Sequence, residues 1–81
     1  MLKVLNTQDI QSHLTNSPQD HVTVVDCFTT WCAPCKAIKP VLDKLSTDLP
    51  NVSFLAVDID NNPDFAKQNN VRSVPTLLYL S

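Results

Sequence analysis

Hydrophobic positions along this 81-residue chain change period several times, and each change marks an element. Lys3-Val4-Leu5 predicts a short first strand. Asn6 and Thr7 follow, both good helix N-caps, with Asp9 placed in the first turn where the macrodipole favours an acid. Ile10 and Leu14 share one face of that helix, and Pro18 marks its end. Val22 to Phe28 is a nearly continuous apolar and β-branched run, the pattern of a central strand buried on both faces. After Trp31, the residues Ile38, Val41, Leu42, Leu45 and Leu49 recur at helical spacing. Pro34 suits the first turn of this helix, whereas Pro40 falls inside it, cannot bond back to the Lys36 carbonyl and predicts a kink. Val52 to Val57 is a further buried strand, leading into Asp58-Ile59-Asp60. Asn62-Pro63 reads as an N-cap followed by proline at the first helical position, opening a short helix through Asn70. Val74-Pro75 interrupts the chain before a last strand, Thr76 to Leu80. The order β-α-β-α-β-α-β implies an α/β sheet covered by helices on both faces, with the direction of the last strand left open.

Composition narrows the classes. With 43% hydrophobic and 17% charged residues the chain is globular, and its length fits one small domain, 1–81, with a thin stability margin. A net charge of -2 leaves no electrostatic footprint for nucleic acid, and no run of Lys or Arg addresses a membrane surface. No apolar stretch approaches the ~20 residues that span a bilayer. The N-terminus lacks the apolar core of a signal peptide, because Lys3 breaks Leu2–Leu5 and Asn6–Gln11 is polar. A cytoplasmic, reducing location is the expectation. There is no glycine, so left-handed backbone positions fall to asparagine, as at Asn69 or Asn70.

Three cysteines is an odd count, which argues against a secreted disulfide scaffold. Cys32-Ala33-Pro34-Cys35 supplies what thiol–disulfide exchange needs: a thiolate to attack, and a second thiol close by to resolve the mixed disulfide. At a helix start Cys32 lies over free N–H groups that favour its thiolate, while Cys35, one turn further in, is shielded and poised against it. The competing reading is a zinc knuckle, whose remaining ligands would have to come from Cys27, His13 or His21 at unconvincing spacings. Asp26, inside an apolar run, is expected to be buried with a raised pKa rather than to cap a turn. Cys27 reads as a small buried hydrophobe. His13 and His21, Asp58, Asp60 and Asp64, and Lys36 and Lys39 read as solvated polar positions, and Trp31 as a core or a substrate-facing aromatic.

These residues carry a resemblance to the thioredoxin family. Val25-Asp26-Cys27-Phe28, Thr30-Trp31-Cys32-Ala33-Pro34-Cys35-Lys36 and Pro40 match its active-site segment. Val57-Asp58-Ile59-Asp60 and Val71-Arg72-Ser73-Val74-Pro75-Thr76 match its later landmarks, in register over essentially the whole chain. The resemblance implies a thioredoxin-like three-layer α/β fold, a central mixed sheet flanked by helices, C-terminally truncated. The family continues past the equivalent of Ser81 with one more strand and a helix. It implies a protein-disulfide reductase serving electron transport and cell redox homeostasis. Cys32 is then the nucleophile, Cys35 the resolving thiol and Asp26 the buried carboxylate that moves the Cys35 proton. Trp31, Ala33, Pro34, Val74 and a cis Pro75 form the substrate surface. No cofactor or metal is bound; electrons come from NADPH through a thioredoxin reductase, and the other partners are disulfide-containing proteins. Self-association through an exposed edge strand is a further expectation. Two departures stand out. Ala33 replaces the usual glycine, and Ala56 stands where many bacterial members place a lysine near the aspartate. The alternative function is a non-catalytic thioredoxin-like binding or regulatory module; a disulfide isomerase or oxidase is a weaker third.

Overall fold

The computed structural model describes residues 2–80. The strands are β1 (Lys3–Val4), β2 (Val22–Phe28), β3 (Val52–Asp58) and β4 (Thr76–Leu80); the helices are α1 (Thr7–Asn16), α2 (Ala33–Asp48) and α3 (Pro63–Gln68). They alternate in the predicted order. The sheet runs β1-β3-β2-β4, with β3 parallel to β1 and β2, and β4 antiparallel to β2. That antiparallel pairing is the point the pattern of apolar positions left open.

Because side chains alternate across a strand, register assigns every residue to a face. Val25, Cys27, Leu55 and Val57 point to one side, where Ile10 of α1 and Phe65 of α3 close over them. Val24 and Phe54 point to the other, under Leu42 and Ile38 of α2. Helices thus cover both faces, giving the three layers expected. Ile10, Val25 and Val57 are fully buried, each contributing about 1.5–3 kcal/mol of apolar transfer. The same register puts Asp26 on the α2 face, beside Ala56 and Leu77.

The local signals act as read, with three corrections. Asn6 caps α1, its side chain accepting from Asp9 N–H at 2.8 Å. Asn70 takes φ 55°, the left-handed residue of a Schellman stop in which Val71 N–H reaches Ala66 O at 2.8 Å and Asn70 N–H reaches Lys67 O. That stop ends α3 at Gln68, two residues before the expected boundary. Asn62 does not cap α3 through its side chain. Its Oδ1 instead accepts from Thr7 N–H at 3.1 Å, and its Nδ2 donates to Asp58 O at 2.9 Å. Of the five apolar α2 positions, Leu42 is buried and Ile38 packs against it, but Val41, Leu45 and Leu49 are exposed. The helix runs through Pro40 from Ala33 to Asp48.

Candidate active site

β2 delivers the chain to one end of the sheet, and Thr29 to Trp31 turn it into α2. Cys32 is the N-cap of that helix: its Sγ accepts from Cys35 N–H at 3.1 Å. An N–H aimed at this sulfur is the interaction that stabilises a thiolate there. Cys32 and Cys35 are joined in a disulfide, their Cα atoms 5.3 Å apart, and both residues are 4% exposed.

The two cysteines line different spaces. Cys32 lines an open groove of about 610 Å³ together with Trp31, Ala33, Pro34, Asp60, Arg72 and Val74. Cys35 lines a separate cavity of about 250 Å³ with Asp26, Thr29, Lys36, Lys39 and Ala56. One cysteine therefore lines the open groove, and the other lines the cavity beside the buried carboxyl. Trp31, 71% exposed, is fixed across the groove by its Nε1–H, which donates to Asp60 Oδ2 at 2.9 Å. The Val74–Pro75 peptide is cis, as the resemblance implied, and Val74 lines the groove two residues before β4 begins.

Asp26 is 3% exposed and its Oδ1 has no hydrogen-bond partner. Burial pushes its carboxyl above the usual carboxylate range, while the Lys39 ammonium partly offsets the rise. Cys27, its neighbour on the opposite face, is wholly buried and pushed up to about 12, by desolvation first and by the Asp26 charge second. It stays protonated and inert, in keeping with a small core residue.

Several residues set aside as solvated prove to be tied in. Asp60 orients Trp31, Asp58 Oδ1 accepts from Asp60 N–H, and Asp64 accepts from Thr7 Oγ1–H at 2.9 Å. His21 Nε2 and Ser53 Oγ lie 2.7 Å apart, and His13 Nε2 is buried. Lys36 and Lys39 are exposed, yet both flank the Asp26 cavity. Thr29, Arg72 and Ser73 join the site without having been singled out; of these only Arg72 and Ser73 carried a signal, as part of the segment before Pro75. Among the described residues no three His, Cys, Asp or Glu side chains gather as a metal-binding group.

A fold of this order, with a disulfide-bonded C-x-x-C pair at a helix start opposite a cis-proline loop, invites comparison with known proteins. The thioredoxin family model matches residues 1–81, and the chain belongs to that family. It is 43% identical over 68 residues to a thioredoxin of Chlamydia trachomatis, covering 84% of this chain and 67% of the relative. It is 41% identical over 76 residues to the mitochondrial thioredoxin-2 of Schizosaccharomyces pombe, covering 94% of this chain and 57% of that one. The solved thioredoxin of Fasciola hepatica superposes with a TM-score of 0.92 at 31% identity, over 99% of this chain and 77% of its own. The chain thus spans between about half and three quarters of the length of these relatives.

Proposed function

We propose that this protein is a thiol–disulfide oxidoreductase that reduces protein disulfides through Cys32 and Cys35. The observation that carries the reading is the division of the pair, with Cys32 on the open groove and Cys35 on the cavity that holds Asp26. In the first step the Cys32 thiolate attacks one sulfur of a substrate disulfide, forming a mixed disulfide and releasing the other substrate sulfur as a thiolate. In the second, Asp26 takes the proton of Cys35, whose thiolate attacks Cys32 Sγ. The Cys32–Cys35 disulfide forms and the second substrate thiolate leaves. The substrate gains two electrons and the protein loses two, arriving at the bonded state described above. Trp31, Ala33, Pro34, Val74 and the backbone at Pro75 hold the extended substrate chain along the groove. Recharging the dithiol calls for a thioredoxin reductase fed by NADPH, in the cytoplasm or in an organelle matrix equally reducing; one relative is named as mitochondrial. Among the described residues no helix is long and apolar enough to cross a membrane.

The two cysteine variants test the assignment of roles. Cys32→Ser abolishes attack on a protein disulfide. Cys35→Ser still attacks and accumulates mixed disulfides, which non-reducing electrophoresis and intact mass reveal. Adduct formation by Cys32→Ser and not by Cys35→Ser reverses the roles. A wild-type chain that forms no adduct and turns over no disulfide with reductase and NADPH leaves the non-catalytic binding module in its place.

A further inference from the structure

Two polar groups of the same strand end are buried without a partner. Thr29 is 2% exposed and its Oγ1 makes no hydrogen bond; Asp26 Oδ1 is in the same condition. Both residues line the cavity of about 250 Å³ that also receives Cys35. Thr29 lines the outer groove as well, beside Cys32, so it stands where the two spaces adjoin. A hydroxyl or carboxyl oxygen buried without a partner has lost its bonds to water and gained none in return. The cavity has room for several water molecules at about 30 Å³ each, and a water needs two or more polar partners to settle. Thr29 and Asp26 supply them.

We propose that Thr29 is a positioning residue whose hydroxyl anchors water in this cavity against Asp26, completing the path by which the Asp26 carboxyl and the Cys35 thiol exchange a proton. The proposal rests on the dithiol reading above. In the resolving step the Cys35 S–H proton passes to the anchored water, which delivers one to the Asp26 carboxylate. The Cys35 electron pair is then free to attack Cys32 Sγ. The charged surroundings fit that route. Lys36 and Lys39 of α2 flank the cavity from the solvent side, and Lys39 opposes the effect of burial on Asp26. Among the described residues the rest of the cavity lining carries no charge, being Leu2, Val4, Phe28, Thr30 and Ala56; Asp58, at the end of β3, shares this sheet face by register but does not line the cavity. Cys27 points to the opposite face and stays protonated. With alanine at position 56, the water held by Thr29 and the ammonium of Lys39 are what this site offers a carboxylate.

Thr29→Val removes the hydroxyl at nearly constant shape, and Thr29→Ser restores it. Two readouts are required: the Asp26 midpoint by carboxyl NMR titration of the reduced protein, and the decay rate of a preformed Cys32–thionitrobenzoate mixed disulfide across pH. The valine variant is expected to raise the midpoint by about one pH unit, because the charged form loses a hydrogen-bonded water. It should slow resolution at neutral pH about tenfold while the rate of adduct formation stays unchanged. Serine returns both to wild type. Thr29→Ala, which removes the hydroxyl without adding bulk, must move the midpoint in the same direction. An unmoved midpoint and pH profile in the valine and alanine variants overturns the proposal and leaves Thr29 a merely unpaired hydroxyl. A reduced wild-type chain that releases no thionitrobenzoate from its aromatic disulfide reagent overturns the dithiol reading instead, and the titration still reads Thr29 independently of it.

Discussion

At the scale of single residues, Asp26 sets stability against chemistry. Its environment was legible in the sequence because a carboxylate within Val24-Val25-Asp26-Cys27-Phe28 has apolar neighbours on each side, and the strand pairs on both edges. Its counter-charge was not legible, since Lys39 lies on another element and only the fold brings it near. The sign of the pH effect follows from burial. The folded-state pKa lies above the unfolded value of about 3.9, so the native state holds the proton more tightly. The contribution to stability is fully present below the unfolded pKa and is lost as pH rises through the folded one. Asp26→Asn carries no such loss. We expect it to be more stable than wild type at pH 7, with the gap closing as pH falls toward the unfolded value of about 3.9. Urea midpoints at the two pH values check this, and a neutral-pH loss of stability in the variant contradicts it. The same substitution should slow the resolving step.

At the scale of elements, the chain is held together at points that spacing along the sequence does not announce. Thr7 opens α1 and Asn62 precedes α3, yet Asn62 Oδ1 accepts from Thr7 N–H, and Asp64 accepts from Thr7 Oγ1–H. Asn62 Nδ2 ties the same junction to the end of β3 through Asp58 O. Thr7 is buried, and Asn62→Ala removes three hydrogen bonds, one of which satisfies the Thr7 backbone N–H. A loss of about 1–3 kcal/mol is expected, measured by chemical denaturation, with the disulfide site unperturbed by NMR. An effect below about 0.5 kcal/mol, the usual range for a surface change, means that water replaces the side chain without penalty. The sequence pointed to Asn62 as a cap because asparagine before proline is a local signal. Its actual partner lies 55 positions away, beyond the reach of any local rule. Strand extents were more accessible: the β-branched run over Val22–Phe28 coincides with β2, and the Asn-rich end of α3 yields its left-handed residue at Asn70. For α2 the helical spacing gave the stripe but not how far around the helix the sheet would cover it.

At the scale of the whole molecule, that uncovered part of α2 meets an uncovered strand. Lys36 and Lys39 face the cavity on the β1 side of the helix. Val41 and Leu45 lie roughly on the opposite flank, given about 100° per residue, and so turn toward β4. There Leu77 and Tyr79 point to the α2 face and are exposed, Tyr79 at 73%. Among the described residues β4 is an outer strand of the sheet, and Thr76-Leu77-Leu78-Tyr79-Leu80 carries no charge to discourage pairing. Open backbone groups on an uncharged edge and an adjoining apolar band favour one partner in particular, a second copy of the same strand. Two β4 edges meeting antiparallel would continue the sheet and bring the two bands together. We therefore expect residues 1–81, taken by themselves, to self-associate at micromolar concentration, as read by sedimentation velocity. Tyr79→Lys is expected to shift it toward monomer, by setting a charge on the band where the copies meet. The substitution touches no residue of the disulfide site, so reductase-coupled turnover per chain should survive it. A wild-type chain that sediments as a monomer and melts cooperatively shows that the edge is tolerated, and the pairing is then excluded.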